Sequence, residues 1–314
     1  MFRGMSITLT QLRSFLAVAR TGSVTAAAER LVVTQPSVSA AVSALSRELG
    51  VELIERRGRA IAVTTAGEAF SNYASDVIGL LDQGERAARE ADAAAERELR
   101  IAAVTTAGEY LVPPMMRAFS AQHPEIRLTV EVGNRGDVFR RVVDHVDDVA
   151  IGGRPPSDGR LVGAPFMENE IVLVAPPDDP LGSLRSVPLS ELAERVWLQR
   201  EEASGTRAMT EQFLSGHECT PRRLTLGSNG AIKEAVRAGL GVALLSRPGV
   251  ELELQHRLLS TIHLREDLPR REWYVLRSAV GPVREPVSAF MAFVASREAR
   301  RAVAASSLRH LETK

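Results

Sequence analysis

Thr34, Gln35, Pro36, Ser37 and Ser39 crowd into one short stretch of the chain, and Arg56, Arg57 and Arg59 surround Gly58 a little further on. The first group offers an amide and several hydroxyls, side chains that read hydrogen-bond donors and acceptors without bringing charge. Placed at the front of a helix, they are what a recognition element presents to base edges in a major groove. The second group puts three guanidinium groups at a turn, which suits phosphate or minor-groove contact and makes affinity fall with salt. This is chemistry of recognition rather than of bond making.

The elements that must hold these groups are legible around them. Ser23 stands before Ala26, Ala27, Ala28 and Glu29 as an N-cap ahead of strong helix formers, and Leu31 closes that helix on its buried side. After the Val32-Val33 link, Thr34 is a second cap, with Pro36 in the first turn where a missing N–H costs little. The next helix runs to Leu49-Gly50. Val38, Val42, Leu45 and Leu49 recur every three or four residues, so one face is apolar while Gln35, Ser37, Ser39 and Ala40 lie at the exposed front. The segment Thr10 to Arg20 supplies Leu12, Phe15, Leu16 and Ala19 as the face that packs the pair. Two short helices, a tight turn and a basic hairpin from Leu53 to Arg59 make the plan of a winged helix-turn-helix.

Composition alone does not reveal this plan. With 39 basic and 39 acidic residues the chain is neutral and lacks the basic excess frequent in nucleic-acid binders. The excess is local, with eight arginines against four glutamates in residues 1–65. Lysine occurs only at Lys233 and Lys314. The single cysteine, Cys219, excludes an intrachain disulfide framework and fits a reducing cytoplasm. No signal peptide and no long apolar run are present, so a cytoplasmic protein without membrane contact is expected. Met1-Phe2-Arg3-Gly4 ahead of Met5 reads as a short extension.

Thr65-Ala66-Gly67-Glu68 has the form of a capping box. From there to about Arg97 no proline intervenes. Phe70, Tyr73, Val77, Leu80, Gly84, Ala87, Ala91 and Ala94 fall three and four apart, while Asp82, Glu85, Arg86, Arg89 and Glu90 keep the other face polar. Such a stripe needs a partner, and its spacing fits a coiled-coil seam through which two copies dimerise.

The ordered set Leu12, Phe15, Val18, Gly22, Ser23, Ala27-Ala28, Leu31, Thr34-Gln35-Pro36, Ser39, Leu45, Leu49-Gly50, Leu53, Arg56, Thr64 and Ala66-Gly67 resembles the LysR-type transcriptional regulators. One departure matters. Many members carry an arginine after the serine at Ser39, where this chain has Ala40, so base readout rests more on Gln35, Pro36, Ser37 and Ser39. The segments Arg200-Glu201-Glu202-Ala203-Ser204-Gly205-Thr206-Arg207, Ser228 to Lys233 and Gly239 to Ser246 look most like the branch that regulates carbon-fixation operons and cysteine biosynthesis. Ala150 to Pro156 points to the carbon-fixation side.

Beyond Glu98 short apolar runs alternate with helix candidates. Leu99–Val104, Leu128–Val132, Val149–Ile151, Ile171–Val174, Val196–Leu198, Leu224–Leu226, Val242–Leu245 and Trp273–Leu276 are strand-like. Between them, helices are expected over Glu109–Gln122, Asp137–Asp144, Pro188–Glu194, Thr206–Leu214, Asn229–Ala238 and Arg284–Ala295. Alternation of this kind predicts parallel sheet with crossover helices. The resemblance implies an α/β effector domain over residues 98–300 with two lobes like those of periplasmic binding proteins. Lobe I would comprise about 98–168 and 271–300 and lobe II about 169–270, with crossings near Phe166–Glu170 and Arg265–Glu272. A winged helix-turn-helix domain over 1–65, a linker and dimerisation helix over 66–97 and a tail over 301–314 complete the plan.

Ligands of such sheets sit beyond the carboxyl ends of strands, against helix N-termini. Thr105-Thr106, Gly133-Asn134-Arg135, Gly152-Gly153-Arg154, Ala203 to Arg207 and Ser228-Asn229-Gly230 are loops of that kind. The hypothesis is a small anion, a carboxylate or a phosphate, bound by Thr105, Thr106, Asn134, Ser204, Thr206 and Asn229, with Arg135 or Arg154 supplying charge.

An enzyme is the competing class, and the motifs for it are missing. Neither a G-x-G-x-x-G order nor a G-x-x-x-x-G-K-[ST] run occurs. His217 near Cys219 is too few ligands for zinc, and His123 or His263 paired with Cys219 as a nucleophile is outweighed by a partly buried structural cysteine. No cofactor is expected. A transport binding protein would need an export signal and would have no use for the N-terminal reader. What the resemblance implies instead is a homodimer through the linker helix and a homotetramer, bound to an inverted-repeat promoter site. Effector binding would change the DNA bend and the access of RNA polymerase.

Overall fold

A capping box opens the first helix, with the Gln11 amide donating to Thr8 Oγ1 and the Thr8 amide to Gln11 Oε1. In the computed structural model, which describes residues 7–58, 60–91 and 97–309, this helix is α1 (Leu9–Thr21). Ser23 caps α2 (Val24–Leu31) and Thr34 caps α3 (Gln35–Leu49), each side chain accepting from a free backbone amide three residues on. Between them the chain turns through Val32 at φ 56°, a left-handed conformation that a β-branched residue resists. β1 (Ile54–Arg57) and β2 (Ala60–Val63) pair antiparallel as the hairpin. Leu12, Phe15, Val18, Ala27, Val38, Val42, Leu45 and Leu53 form the core beneath them.

The long helix that follows, α4 (Thr65–Glu90), departs from expectation in three respects. Thr64, not Thr65, is its cap, since Thr64 Oγ1 accepts from the Gly67 amide at 3.0 Å. It ends at Glu90 rather than near Arg97, because Arg97 already belongs to a strand. Its apolar residues form two stripes instead of one. Phe70, Ala74 and Ile78, four apart, pack into the core of their own unit, whereas Tyr73, Val77 and Leu81 stand 72%, 49% and 39% exposed. Ala94 lies outside the described residues. Gly67 has no freedom to vary, because a Cβ there would stand 2.1 Å from the Leu53 carbonyl oxygen.

Two units divide the chain. The first takes in the elements above together with residues 144–146, and the second holds the remainder from Glu96 onward. The second begins with β3 (Arg97–Val104), a π-helical turn (Ala107–Leu111) that runs into α5 (Val112–Gln122), β4 (Ile126–Gly133), α6 (Arg135–Val143), β5 (Val149–Gly152) and β6 (Leu161–Asn169). β7 (Ile171–Ala175) follows after Glu170 alone. Then come β8 (Trp197–Arg200), α7 (Gly205–Gly216), β9 (Arg223–Leu226), α8 (Asn229–Arg237), β10 (Ala243–Ser246), α9 (Glu251–Gln255) and β11 (Ser260–Ile262). β12 (Arg271–Ser278), α10 (Glu285–Ala295) and α11 (Arg297–Arg309) close the chain.

The sheets are mixed, not parallel throughout. In the five-stranded sheet β4-β3-β5-β12-β6, the β3 pairings are parallel, but β12 runs antiparallel to both β5 and β6. A second sheet, β10-β7-β11, is antiparallel, and β8 pairs parallel with β9. The strand-helix rhythm marks Trp273–Leu276 as a strand but not its direction, since β12 arrives after the whole excursion from β7 to β11 and inserts antiparallel between strands laid down long before. Leu99, Ile101, Phe119, Ile151 and Phe290 pack one core, which α11 joins through Ala299 and Val303. Trp197, Phe213, Leu214 and Leu244 pack another. Residues 310–314 of the tail lie outside the description.

Candidate functional site

At the front of α3 the side chains of Thr34, Gln35, Pro36, Ser37, Ser39 and Ala40 are all exposed, while Val38 and Val42 are buried beneath them. The helix is held from below, and its N-terminal turn is left to solvent. Thr34 and Ser37 are committed to the cap, their hydroxyl oxygens 2.8 Å apart. Gln35 and Ser39 have no recorded side-chain partner among the described residues. Arg56 and Arg57 are exposed on β1, with Arg57 paired to Glu55 at 2.7 Å. Arg59 lies outside the described residues.

The loops that follow β3, β4 and β8 meet around a cavity of about 40 Å³. Thr105, Thr106, Asn134, Arg135, Ser204 and Thr206 line it, as expected from their loops. Local bonding positions Asn134 and Ser204, and a bond to the neighbouring strand's end positions Thr105. Thr105 Oγ1 donates to the Gly133 carbonyl, Asn134 Oδ1 accepts from the Asp137 amide at the start of α6, and Ser204 Oγ accepts from the Thr206 amide at the start of α7. The first turns of α6 and α7 therefore both border the cavity, each a favourable end for negative charge.

Two expected residues are placed elsewhere. Asn229 is buried and does not line the cavity: its Nδ2 donates to Thr106 Oγ1 at 3.0 Å and its Oδ1 accepts from the Arg200 guanidinium at 2.7 Å. It ties the wall contributed by β3 to that contributed by β8 rather than facing a ligand. Arg154 is exposed and lines an adjoining cavity of about 600 Å³ with Tyr274 and Arg270. Its backbone carbonyl, not its side chain, serves the site by accepting from Arg135.

Sequence reasoning passed over Asn169, Arg200, Ser246, Arg271 and Trp273, all of which line the cavity. Ser246 donates to Asn169 Oδ1 at 2.6 Å. Arg200 has its charge answered by Glu201. For the Glu201 carboxyl, burial pulls upward most strongly of any one cause, but the hydrogen bond from Arg200, a backbone hydrogen bond and the charge of Arg200 together hold the group below its ordinary value. Arg271 is different. Among the described residues it has no carboxylate partner and bonds only the Gly205 carbonyl at 3.3 Å and the Met209 sulfur at 3.8 Å. Burial pushes its guanidinium below the ordinary value, and the charge of Arg135 adds to that push. Arg135 is likewise lowered by burial and rests on the Phe139 ring and the Arg154 carbonyl. Gly153 leaves the room that Arg271 needs, since a Cβ there would stand 3.0 Å from its Nη2. No aspartate or glutamate lines the cavity. The arrangement is a cation-rich enclosure with hydroxyl and amide donors at its rim, a chemistry that suits an anion.

Within this unit two further bonds cross from β3's side to the other: Asn229 to Thr106, and Lys233 Nζ to Tyr110 Oη at 3.4 Å. Thr106 immediately precedes the π-helical turn and Tyr110 lies within it. Such turns are enriched at functional sites. No group of three or more metal-binding side chains occurs among the described residues, and none of their helices is long and apolar enough to cross a membrane.

Comparison with known proteins adds an independent line. A family model described as the LysR substrate binding domain matches residues 92–299, and one for the bacterial regulatory helix-turn-helix protein, lysR family, matches residues 9–68. The RuBisCO operon transcriptional regulator of Allochromatium vinosum is 36% identical over 94% of this chain and 98% of its own. The transcriptional activator CmpR of Synechocystis is 34% identical over 86% of this chain and 88% of its own. Among solved structures, the regulatory domain of Synechocystis CcmR in complex with 2-PG superposes with a TM-score of 0.60 at 30% identity, covering 63% of this chain and 95% of that one.

Proposed function

The chain belongs to the LysR family of transcriptional regulators, and from that premise we propose that it reads an inverted-repeat promoter site and switches its promoter in response to a small anionic metabolite held in the cavity between β3, β4 and β8. The observation that carries the reading is the pair Arg135 and Arg271. Two guanidinium groups without a carboxylate partner share a cavity whose other donors are Thr105, Thr106, Ser204 and Thr206. A desolvated cation pair of this kind is tolerable where an anion completes it. That the CcmR domain was solved with 2-PG, an anionic metabolite, supports the same ligand class, and the RuBisCO operon relatives support a role in carbon fixation.

On this reading, Gln35, Ser37 and Ser39 contact base edges, and Arg56, Arg57 and Arg59 contact the DNA backbone. Lobe I, about 98–168 and 271–300, and lobe II, about 169–270, close on the effector. The exposed stripe Tyr73, Val77 and Leu81 of α4 joins two chains, and two such dimers form a tetramer that bends the promoter and governs the access of RNA polymerase. For the effector to act, it must bind one arrangement of the lobes better than the other, since equal affinity shifts nothing.

The test is recovery of genomic fragments by the purified protein at fixed salt, with and without 2-PG, followed by sequencing. A small set of inverted-repeat sites whose occupancy or footprint changes with 2-PG supports both halves of the proposal. Uniform, salt-sensitive recovery with no preferred site refutes sequence-specific reading, and preferred sites indifferent to 2-PG and to other anions refute the switch.

A further inference from the structure

Trp273 presents a buried donor with nothing to bond. The residue is 3% exposed and lines the cleft cavity, and its indole Nε1 has no hydrogen-bond partner among the described residues. The other tryptophan, Trp197, is just as buried but donates to the Leu192 carbonyl at 3.2 Å. A buried N–H without an acceptor is costly, and natural structures keep such groups where a water, ion or ligand completes them. Two residues before Trp273 on the same strand stands Arg271, so both side chains belong to one face of β12 and both reach the same cavity. Arg271 too lacks an anionic partner, and Arg135 faces it from α6.

We propose that Arg271 and Trp273 form the anion-receiving edge of the cleft, taking a dianionic, phosphate-class head group between the Arg271 guanidinium, the Trp273 Nε1–H and Arg135. This rests on the reading that the cleft holds an anion and adds which residues select it and for what charge. Of the three lining arginines, Arg200 has its charge answered by Glu201, while Arg135 and Arg271 have no carboxylate partner and no acid lines the cavity, so two unanswered charges balance a dianion and leave a monocarboxylate one charge short. The indole adds a donor of fixed direction to those two charges. Strand β12 is an interior strand of the five-stranded sheet, bonded to β5 on one side and β6 on the other, so an anion seated on it is held by the sheet rather than by a loop.

The full chain with 15N-labelled tryptophan gives two indole resonances, assigned by loss of one in Trp273→Phe. Titration with inorganic phosphate and with 2-PG at pH 8 is expected to move the Trp273 resonance downfield and leave Trp197 in place. Acetate should bind at least about tenfold more weakly by calorimetry. Trp273→Phe keeps the ring and removes the donor, and is expected to weaken phosphate or 2-PG binding about tenfold or more, as loss of a hydrogen bond to a charged group implies. Arg271→Gln should weaken it at least as much and serves if the tryptophan variant does not fold.

Binding of 2-PG within twofold of wild type in both variants, or acetate bound as tightly as phosphate, overturns the proposal while leaving the cleft reading intact, provided Arg135→Gln abolishes binding. If neither phosphate nor 2-PG binds the unaltered protein, or if Arg135→Gln binds as well as wild type, the cleft reading falls and this inference falls with it.

Discussion

At the front of α3 every candidate side chain is exposed and bonds, where it bonds at all, within its own cap. In the cleft several candidates are already engaged by residues far away in the sequence. Thr106 is held by Asn229, Asn229 by Arg200, and Arg200 by Glu201, so the cleft wall is one connected network. Gln35 and Ser39 belong to no such chain. The difference teaches where function and stability separate. On α3 the core lies entirely on the opposite face, so a substitution at the front is expected to leave the fold intact. In the cleft the lining residues Thr106 and Arg200 also support one another through Asn229, so a substitution there is expected to cost stability as well.

The sharpest way to break this contrast is Gln35→Ala. Loss of a bidentate contact to a base should lower affinity for the specific site by about 1–3 kcal/mol, roughly five- to 150-fold, with an unchanged melting temperature. Anisotropy with a recovered operator checks it, and equal affinity removes Gln35 from the reader. Thr106→Val is the counterpart in the cleft. It strips the acceptor from the buried Asn229 amide, so stability should fall by about 1–3 kcal/mol while operator binding persists and the response to 2-PG is lost. Denaturant titration and a promoter assay read the two effects separately.

Ser204→Ala should cost less, about 1 kcal/mol, because it removes the cap of α7 and leaves no comparable buried donor unsatisfied. The effector response should again disappear with DNA binding intact. If either cleft variant responds at the wild-type ligand concentration, the assignment of that residue fails. The smallest effect is expected at Val32, 89% exposed and left-handed at φ 56°. Val32→Asn relieves a disfavoured conformation and should raise stability by under about 1 kcal/mol without altering operator affinity. A loss of stability instead would show that the turn between α2 and α3 depends on the valine side chain.

The reader domain was legible in the sequence because its signals are local. A cap, a run of helix formers and a stripe at helical spacing lie within one or two turns of the residues they position, and Ser23, Thr34 and Pro36 do in the structure what their types require. The same locality explains Asn134 and Ser204, each at a strand-to-helix junction with a recognisable turn chemistry. Where local signals fell short, tertiary packing chose. The run Thr65-Ala66-Gly67-Glu68 points to Thr65 as the cap of α4, but Thr64 takes that place, and the close approach of Gly67 to Leu53 fixes the helix start there. Phe70 and Tyr73 share one spacing pattern, yet only Phe70 faces the core of its own unit.

By itself, the sequence determined the helix-turn-helix plan, the caps of α2 and α3 and the family, since short-range propensity and spacing carry these, while β6, β11, α9 and α11 went unread. It could not determine that Arg271 and Trp273 reach the cleft. They precede no helix and sit in no loop, and their position depends on β12 entering between β5 and β6 after the excursion from β7 to β11. Nor could it tell that Asn229 turns its amide to Thr106 and Arg200 instead of to a ligand. These are long-range pairings, and side-chain partners across the fold exist only once the strands have met.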